Sequence, residues 1–169
     1  MHVFLTGELQ CGKSTAITRV LSRITRPVFG FKTLFTDRGN DNKALYMLPA
    51  FSSLAPSPEQ AVAQFYDGKP VPMTERFDMI GSALLQEAQR HPDGIILMDE
   101  CSRFERNALL FQQEIFRCLD GDIPVLGVVR HNAAGWADQI RNHPNVKLLT
   151  VTKENRDSIP DEIIQYLSI

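Results

Sequence analysis

The 169 residues carry 18 Lys and Arg against 20 Asp and Glu, a formal charge of -2, and 43% of them are hydrophobic. That balance suits one domain burying roughly two thirds of its unfolded surface, and it excludes a global field drawing the chain to nucleic acid or an anionic membrane. No apolar run approaches the roughly 20 residues of a bilayer span, and Gly7 and Lys13 interrupt any hydrophobic leader, so a soluble cytoplasmic protein is expected. Cys11, Cys101 and Cys118 match no disulfide or metal-ligand spacing and read as reduced thiols. Nothing in the composition speaks to oligomeric state.

In chain order, residues 3–5 read as an apolar strand leading into Gly7-Glu8-Leu9-Gln10-Cys11-Gly12-Lys13-Ser14, which fits the pattern G-x-x-x-x-G-K-[ST]. Main-chain N–H groups of a loop entering a helix converge on one locus and carry the positive end of the helix dipole, so phosphate is favoured there. The expected phosphate-binding segment is Gly7, Glu8, Leu9, Gln10, Cys11, Gly12, Lys13, Ser14 and Thr15. Lys13 would reach the β- and γ-phosphate oxygens and the Ser14 hydroxyl would ligate Mg²⁺. Glu8 is an awkward acid at this point and is expected to point away from the nucleotide. Cys11 reads as a small residue tolerated in the loop.

Ala16, Ile17, Val20, Leu21 and Ile24 follow helical spacing until Pro27. Residues 28–36 and 44–48 read as a strand pair joined by turn residues 37–42, and 49–58, with three prolines, as an exposed loop suited to carry specificity. A second hairpin is expected from 62–66 and 71–73 around Asp67-Gly68-Lys69-Pro70, with a short helix over 58–65 as the alternative. Thr74 offers an N-cap to a helix lined by Phe77, Ile80, Leu84 and Ala88. Residues 94–98 form the apolar run expected of a buried parallel strand, ending at Asp99-Glu100. A helix over 107–119, a strand over 124–129, a short helix over 136–141, a strand over 146–151 and a closing helix with Pro160 in its first turn complete the pattern. Strands alternating with helices predict an α/β three-layer domain with a mostly parallel sheet, flanked by helices and carrying an inserted β-hairpin.

Asp99 stands where a phosphate-loop enzyme holds Mg²⁺, and Glu100 beside it is a candidate base for the attacking water. Arg130 and His131, just past a strand end, offer positive charge to a transition state. The set Gly7 to Ser14, Gly30-Phe31-Lys32-Thr33, Ile96-Leu97-Met98-Asp99-Glu100, Phe104-Glu105, Pro124-Val125-Leu126-Gly127 and Thr152-Lys153-Glu154-Asn155-Arg156-Asp157 resembles the small nucleoside-triphosphatase family first described from thermophiles, also called cancer-related nucleoside triphosphatases. Two departures stand out: less glycine and proline in the loop, and Cys101-Ser102 where the family has an apolar residue and glycine.

The resemblance implies a single P-loop NTPase domain that hydrolyses nucleoside 5'-triphosphates to diphosphate and phosphate with Mg²⁺ and broad base tolerance. It implies Lys13 and Glu100 as catalytic residues, Ser14 and Asp99 for the metal, and Asn155 and Arg156 beside the base; Arg130 joins the catalytic candidates from its place past the strand end. Arg156 would stack on a base without reading it, or pair with Asp157 or Glu154. The segment Thr152-Lys153-Glu154-Asn155 lacks the acid that would pair with guanine. A kinase using the same loop, or a nucleotide-dependent binding module, is the alternative; residues 130–141, with two arginines, would make a thin lid for a kinase.

Overall fold

The computed structural model describes residues 1–36, 43–132 and 134–168. The chain opens with β1 (His2–Thr6), the glycine loop and α1 (Lys13–Leu21), which buries Ala16, Ile17 and Val20 and stops well before Pro27. The expected strand pair is β2 (Val28–Thr36) and β3 (Ala44–Pro49), antiparallel, with Phe31 opposite Pro49 and Thr36 opposite Ala44. Its turn at 37–42 lies outside the described residues. A 3₁₀ turn takes Pro58–Gln60, and the remainder of the alternative helix is β4 (Ala61–Tyr66).

β4 and β5 (Lys69–Pro72) close over two residues, Asp67 and Gly68, whose φ values of 48° and 73° suit a type I′ turn. Lys69 and Pro70, expected in the turn, therefore belong to the strand. β5 is the outer edge of the sheet; beyond it the Met73 N–H donates to Val62 O at 2.8 Å, and Pro70 and Pro72 take the alternate positions.

Thr74 is the first helical residue and not the cap: Met73 holds the N-cap position, without a side-chain bond. The helix runs as α2 (Thr74–Arg76), a π turn (Phe77–Gly81) and α3 (Ser82–Ala88). The wider turn re-aims the buried stripe, so that Phe77, Gly81, Leu85 and Ala88 face inward while Ile80 and Leu84 are half-buried. β6 (Ile95–Cys101), α4 (Leu109–Asp120), β7 (Val125–Val129), α5 (Trp136–Arg141), β8 (Val146–Thr150) and α6 (Ile159–Leu167) follow in the expected order. β6 differs in one respect: it runs through both acids to Cys101, bulging against β7 between Met98 and Cys101.

Among the described residues the strands make one eight-stranded sheet in the order β5-β4-β3-β2-β6-β7-β1-β8. β2, β6, β7, β1 and β8 pair in parallel, and β3, β4 and β5 extend the sheet as an antiparallel arm in which the two expected hairpins are joined through β3 and β4. The two-residue alternation of each central strand divides the core. Val3, Leu5, Ile95, Leu97, Leu126 and Val128 pack with α1 and α6, while Phe4, Ile96, Met98, Val125 and Val129 pack with α3, α4 and α5. Gly127 makes room for the Phe4 ring: a Cβ there would lie 2.4 Å from it.

Gly30 lets β2 run close against β6. Its φ is +92°, and an added Cβ would sit 2.2 Å from the Leu97 carbonyl oxygen, a backbone atom that cannot swing away. Gly30→Ala is expected to cost roughly 2 kcal/mol or more in urea unfolding, from strain and overpacking together. An unchanged unfolding midpoint would show that the two strands tolerate separation.

Candidate active site

β1, β7 and β6 are consecutive in the sheet and parallel, so their carboxyl ends open on one side. One strand separates β1 from β6, which opens a gap of roughly 10 Å between the glycine loop and the acidic strand end. The gap is a cavity of about 730 Å³. Gly7, Glu8, Leu9, Gln10, Gly12, Lys13, Ser14 and Thr15 line one side; Glu100, Arg103, Val128, Arg130, His131 and Asn132 line the other.

The loop's shape depends on its glycines. Gly7 has φ +137°, and a Cβ on it would fall 2.4 Å from the Val151 carbonyl oxygen; Gly12 caps α1 at φ +112°. Gln10 takes φ 59° without being glycine, a local strain of the kind found at functional loops. No side chain caps α1, so the N–H groups of its first turn are left for an anion. Lys13 Nζ folds over the loop, donating to Gly7 O at 2.9 Å and Glu8 O at 2.6 Å. Charged phosphate oxygens are stronger acceptors for an ammonium than these carbonyls. Cys11, 5% exposed, turns into the core beneath the loop beside Ala16 and Ile17, while Glu8 is exposed on the cavity wall.

The two acids part company at the β6 bulge. Asp99 is not on the cavity wall; its Oδ2 accepts from the Thr33 N–H at 3.0 Å and the Thr33 hydroxyl at 3.2 Å. Glu100 is on the wall. Burial pushes its carboxyl above the usual range, Arg130 draws it down, Asp99 pushes it up and Lys13 draws it down.

Arg130 follows β7, its N–H donating to Cys101 O at 3.0 Å. Arg141 of α5 donates to the carbonyl oxygens of Arg130 and His131, and α5 itself is docked, with Trp136, Ala137 and Ile140 in the core.

On the far side of the loop Asn155 is committed to its own turn. Its amide oxygen accepts from the Thr152 N–H at 2.8 Å and its Nδ2 donates to Thr150 O at 2.9 Å. Arg156 lies over Gly12 and lines a small hollow of about 110 Å³ with Thr15 and Arg19. Asp157 pairs with Arg19 at 2.8 Å, and not with Arg156.

In the turn after β6, Arg103 and Glu105 take roles that the sequence alone did not assign them. Glu105, 1% exposed, accepts at Oε2 from the Ser102 N–H at 3.0 Å and the Ser102 hydroxyl at 3.1 Å. Trp136 Nε1 donates to Ser102 O at 2.9 Å, and Gln112 Nε2 to Glu105 O at 2.7 Å. These bonds hold Arg103 at the cavity. The available signal was an arginine close behind the acidic pair in a segment without predicted structure. Among the described residues no group of His, Cys, Asp and Glu could hold a metal by itself, and no helix is long and apolar enough to cross a membrane.

A parallel sheet whose central strand feeds a glycine loop and an uncapped helix, facing an acidic strand end across one intervening strand, defines a phosphate-loop α/β protein. The family described as NTPase matches residues 2–164, and the chain belongs to it. The nucleoside-triphosphatase THEP1 of Thermotoga sp. (strain RQ2) is 24% identical over 174 residues, covering 99% of this chain and 95% of its own. The cancer-related nucleoside-triphosphatase homolog of Bos taurus is 28% identical over 184 residues, covering 98% and 96%. The crystal structure of THEP1 from Aquifex aeolicus has the same fold, with a TM-score of 0.80 over 100% of both chains at 20% identity.

Burial raises the Glu105 carboxyl to about 7 against its two Ser102 hydrogen bonds. The folded chain therefore keeps a proton that the unfolded chain loses near 4.5, so stability falls as pH rises from 4.5 through 7 and levels off above. The loss is about 3 kcal/mol by linkage. Glu105→Gln is expected to flatten this dependence when urea unfolding is followed from pH 5 to pH 8; equal slopes for parent and variant would remove Glu105 as its source.

Proposed function

We propose that this chain is a cytoplasmic, Mg²⁺-dependent nucleoside triphosphatase, releasing diphosphate and phosphate with broad base tolerance. The observation that carries the reading is Glu100, which shares one cavity with Lys13 and Arg130 and faces the glycine loop across the β7 gap.

The donors suit the metal. The exposed Ser14 hydroxyl and the Asp99 oxygen that Thr33 leaves unbonded are hard ligands, fitting an ion that keeps phosphate oxygens and water as most of its shell. Bound there, Mg²⁺ would neutralise charge on the β- and γ-phosphates. Asp99, set back from the wall, would act through water.

The chain's own groups do the rest. Glu100, raised by burial, accepts a proton from the attacking water as its oxygen bonds to the γ-phosphorus. The bond from that phosphorus to the bridging oxygen breaks, and the diphosphate leaves with the electron pair. Lys13 and Arg130 hold the oxygens on which charge collects. Arg156, over Gly12, stacks on a base, while the amide of Asn155 is oriented by two bonds within its own turn. That pairing favours tolerance over specificity. A kinase would need a lid that closes, whereas α5 is anchored by Trp136 and Ile140 in the core.

A phosphate-release panel over several NTPs and dNTPs, with and without Mg²⁺, tests the reading. Lys13→Ala is expected to weaken nucleotide binding about tenfold or more, the loss of one charge-assisted contact. Glu100→Gln is expected to spare binding and slow release ~10²- to 10⁴-fold. Release by Glu100→Gln at the parent's rate would remove Glu100 as the base, and release that waits on an added acceptor would point to a kinase.

A further inference from the structure

We propose that Arg103 is a catalytic residue of this site, its guanidinium gripping the γ-phosphate from the β6 side as charge builds in the transition state; the proposal rests on the hydrolase reading above. Arg103 lines the same cavity as Lys13, Glu100 and Arg130. It is exposed, and among the described residues its guanidinium makes no ion pair or hydrogen bond; the group's one partner is the Phe104 ring, 5.7 Å from the guanidinium carbon. Several arginines are engaged instead, Arg76 with the Pro58 and Ala61 carbonyls, Arg117 with Glu114 and Arg19 with Asp157; of the described arginines without such a bond, only Arg103 and Arg130 line this cavity.

The electrostatics leave a task for such a cation. Arg130 is close enough to Glu100 to offset its charge, so part of its field is already taken up by the carboxylate. Lys13 reaches from the loop side. The γ-phosphate oxygens that gain charge toward β6 need a further donor, and a planar guanidinium presents a fork that matches two oxygens at once.

The scaffold under Arg103 is built to a standard that a solvated surface turn does not require. Its backbone is pinned on one side by Ser102, whose N–H and hydroxyl bind buried Glu105 and whose carbonyl binds Trp136. On the other side Phe104 meets Phe65 of β4 edge-on at 6.3 Å, and Phe65 meets Phe35 of β2 at 5.1 Å. A fixed backbone confines the entropy lost on gripping phosphate to one side chain. The ring face supplies a resting position that leaves the charge unneutralised, because cation–π attraction at an exposed site is worth only ~0.5 to 1 kcal/mol.

The test compares the parent, Arg103→Ala and Arg103→Lys in Mg²⁺-dependent phosphate release from ATP, with thermal melts and binding of ADP and a non-hydrolysable ATP analogue. Arg103→Ala is expected to lower kcat by ~10²-fold or more, with partial recovery in Arg103→Lys. Its ADP affinity and melting temperature should match the parent's, while its preference for the triphosphate analogue over ADP falls. A kcat within about threefold of the parent's, or equal losses for ADP and the analogue, overturns the proposal. If the parent itself releases no phosphate from any nucleotide, both the hydrolase reading and this one fall. If the parent hydrolyses and Arg103→Ala keeps pace, only the role of Arg103 is lost.

Discussion

The insertion of β7 between β1 and β6 is the constraint on which the site depends. Were the two strands neighbours, the acidic strand end would lie about 5 Å from the glycine loop, with room for an ion but little for a water and its base. One intervening strand doubles the gap and turns a contact into a chamber. β7 fits there because it is slender where it must be: Gly127 yields its side-chain volume to Phe4, and its other residues divide cleanly between the two cores. The β6 bulge then completes the division of labour. Two residues between Met98 and Cys101 have no regular partner on β7, so adjacent acids meet different surroundings, Asp99 against Thr33 and Glu100 against the chamber.

That arrangement is held at some expense of stability. Glu100 and Glu105 are both acids whose ionised forms burial opposes; Arg130 and Lys13 offset that only in part at Glu100, and at Glu105 the Ser102 hydrogen bonds do so only in part. In the turn after β6 the buried carboxylate does what an apolar side chain would not, since it ties two donors of Ser102 to one point. Rigidity near the chamber and reduced stability at neutral pH thus share one cause.

Much of the fold was legible because β and α periods alternate cleanly along the chain. The order of elements, the bounds of β2 and α5 and the glycine loop all follow from local spacing. What escaped has a common physical character. The π turn at Phe77–Gly81 answers the Phe111 ring, 2.4 Å from where a Gly81 Cβ would lie, and that neighbour is distant in sequence. The separate fates of Asp99 and Glu100 depend on a register shift against β7, which no local pattern announces. Asn155 shows the reverse case: a residue in a suggestive motif whose amide is engaged in holding its own turn. Arg103 was invisible for want of a predicted element to carry it, although its charge was in plain view.

The antiparallel arm ends in Lys69-Pro70-Val71-Pro72, and the alternation set by the Met73 bond to Val62 turns both prolines' nitrogens away from β4. A strand arriving from another molecule would meet an edge stripped of the amide donors it needs to dock. The arm can therefore project a broad, partly aromatic surface beyond the parallel body while remaining a poor template for intermolecular β-pairing. Two ring nitrogens thus blunt the edge of the sheet that lies farthest from the chamber along the β5 side.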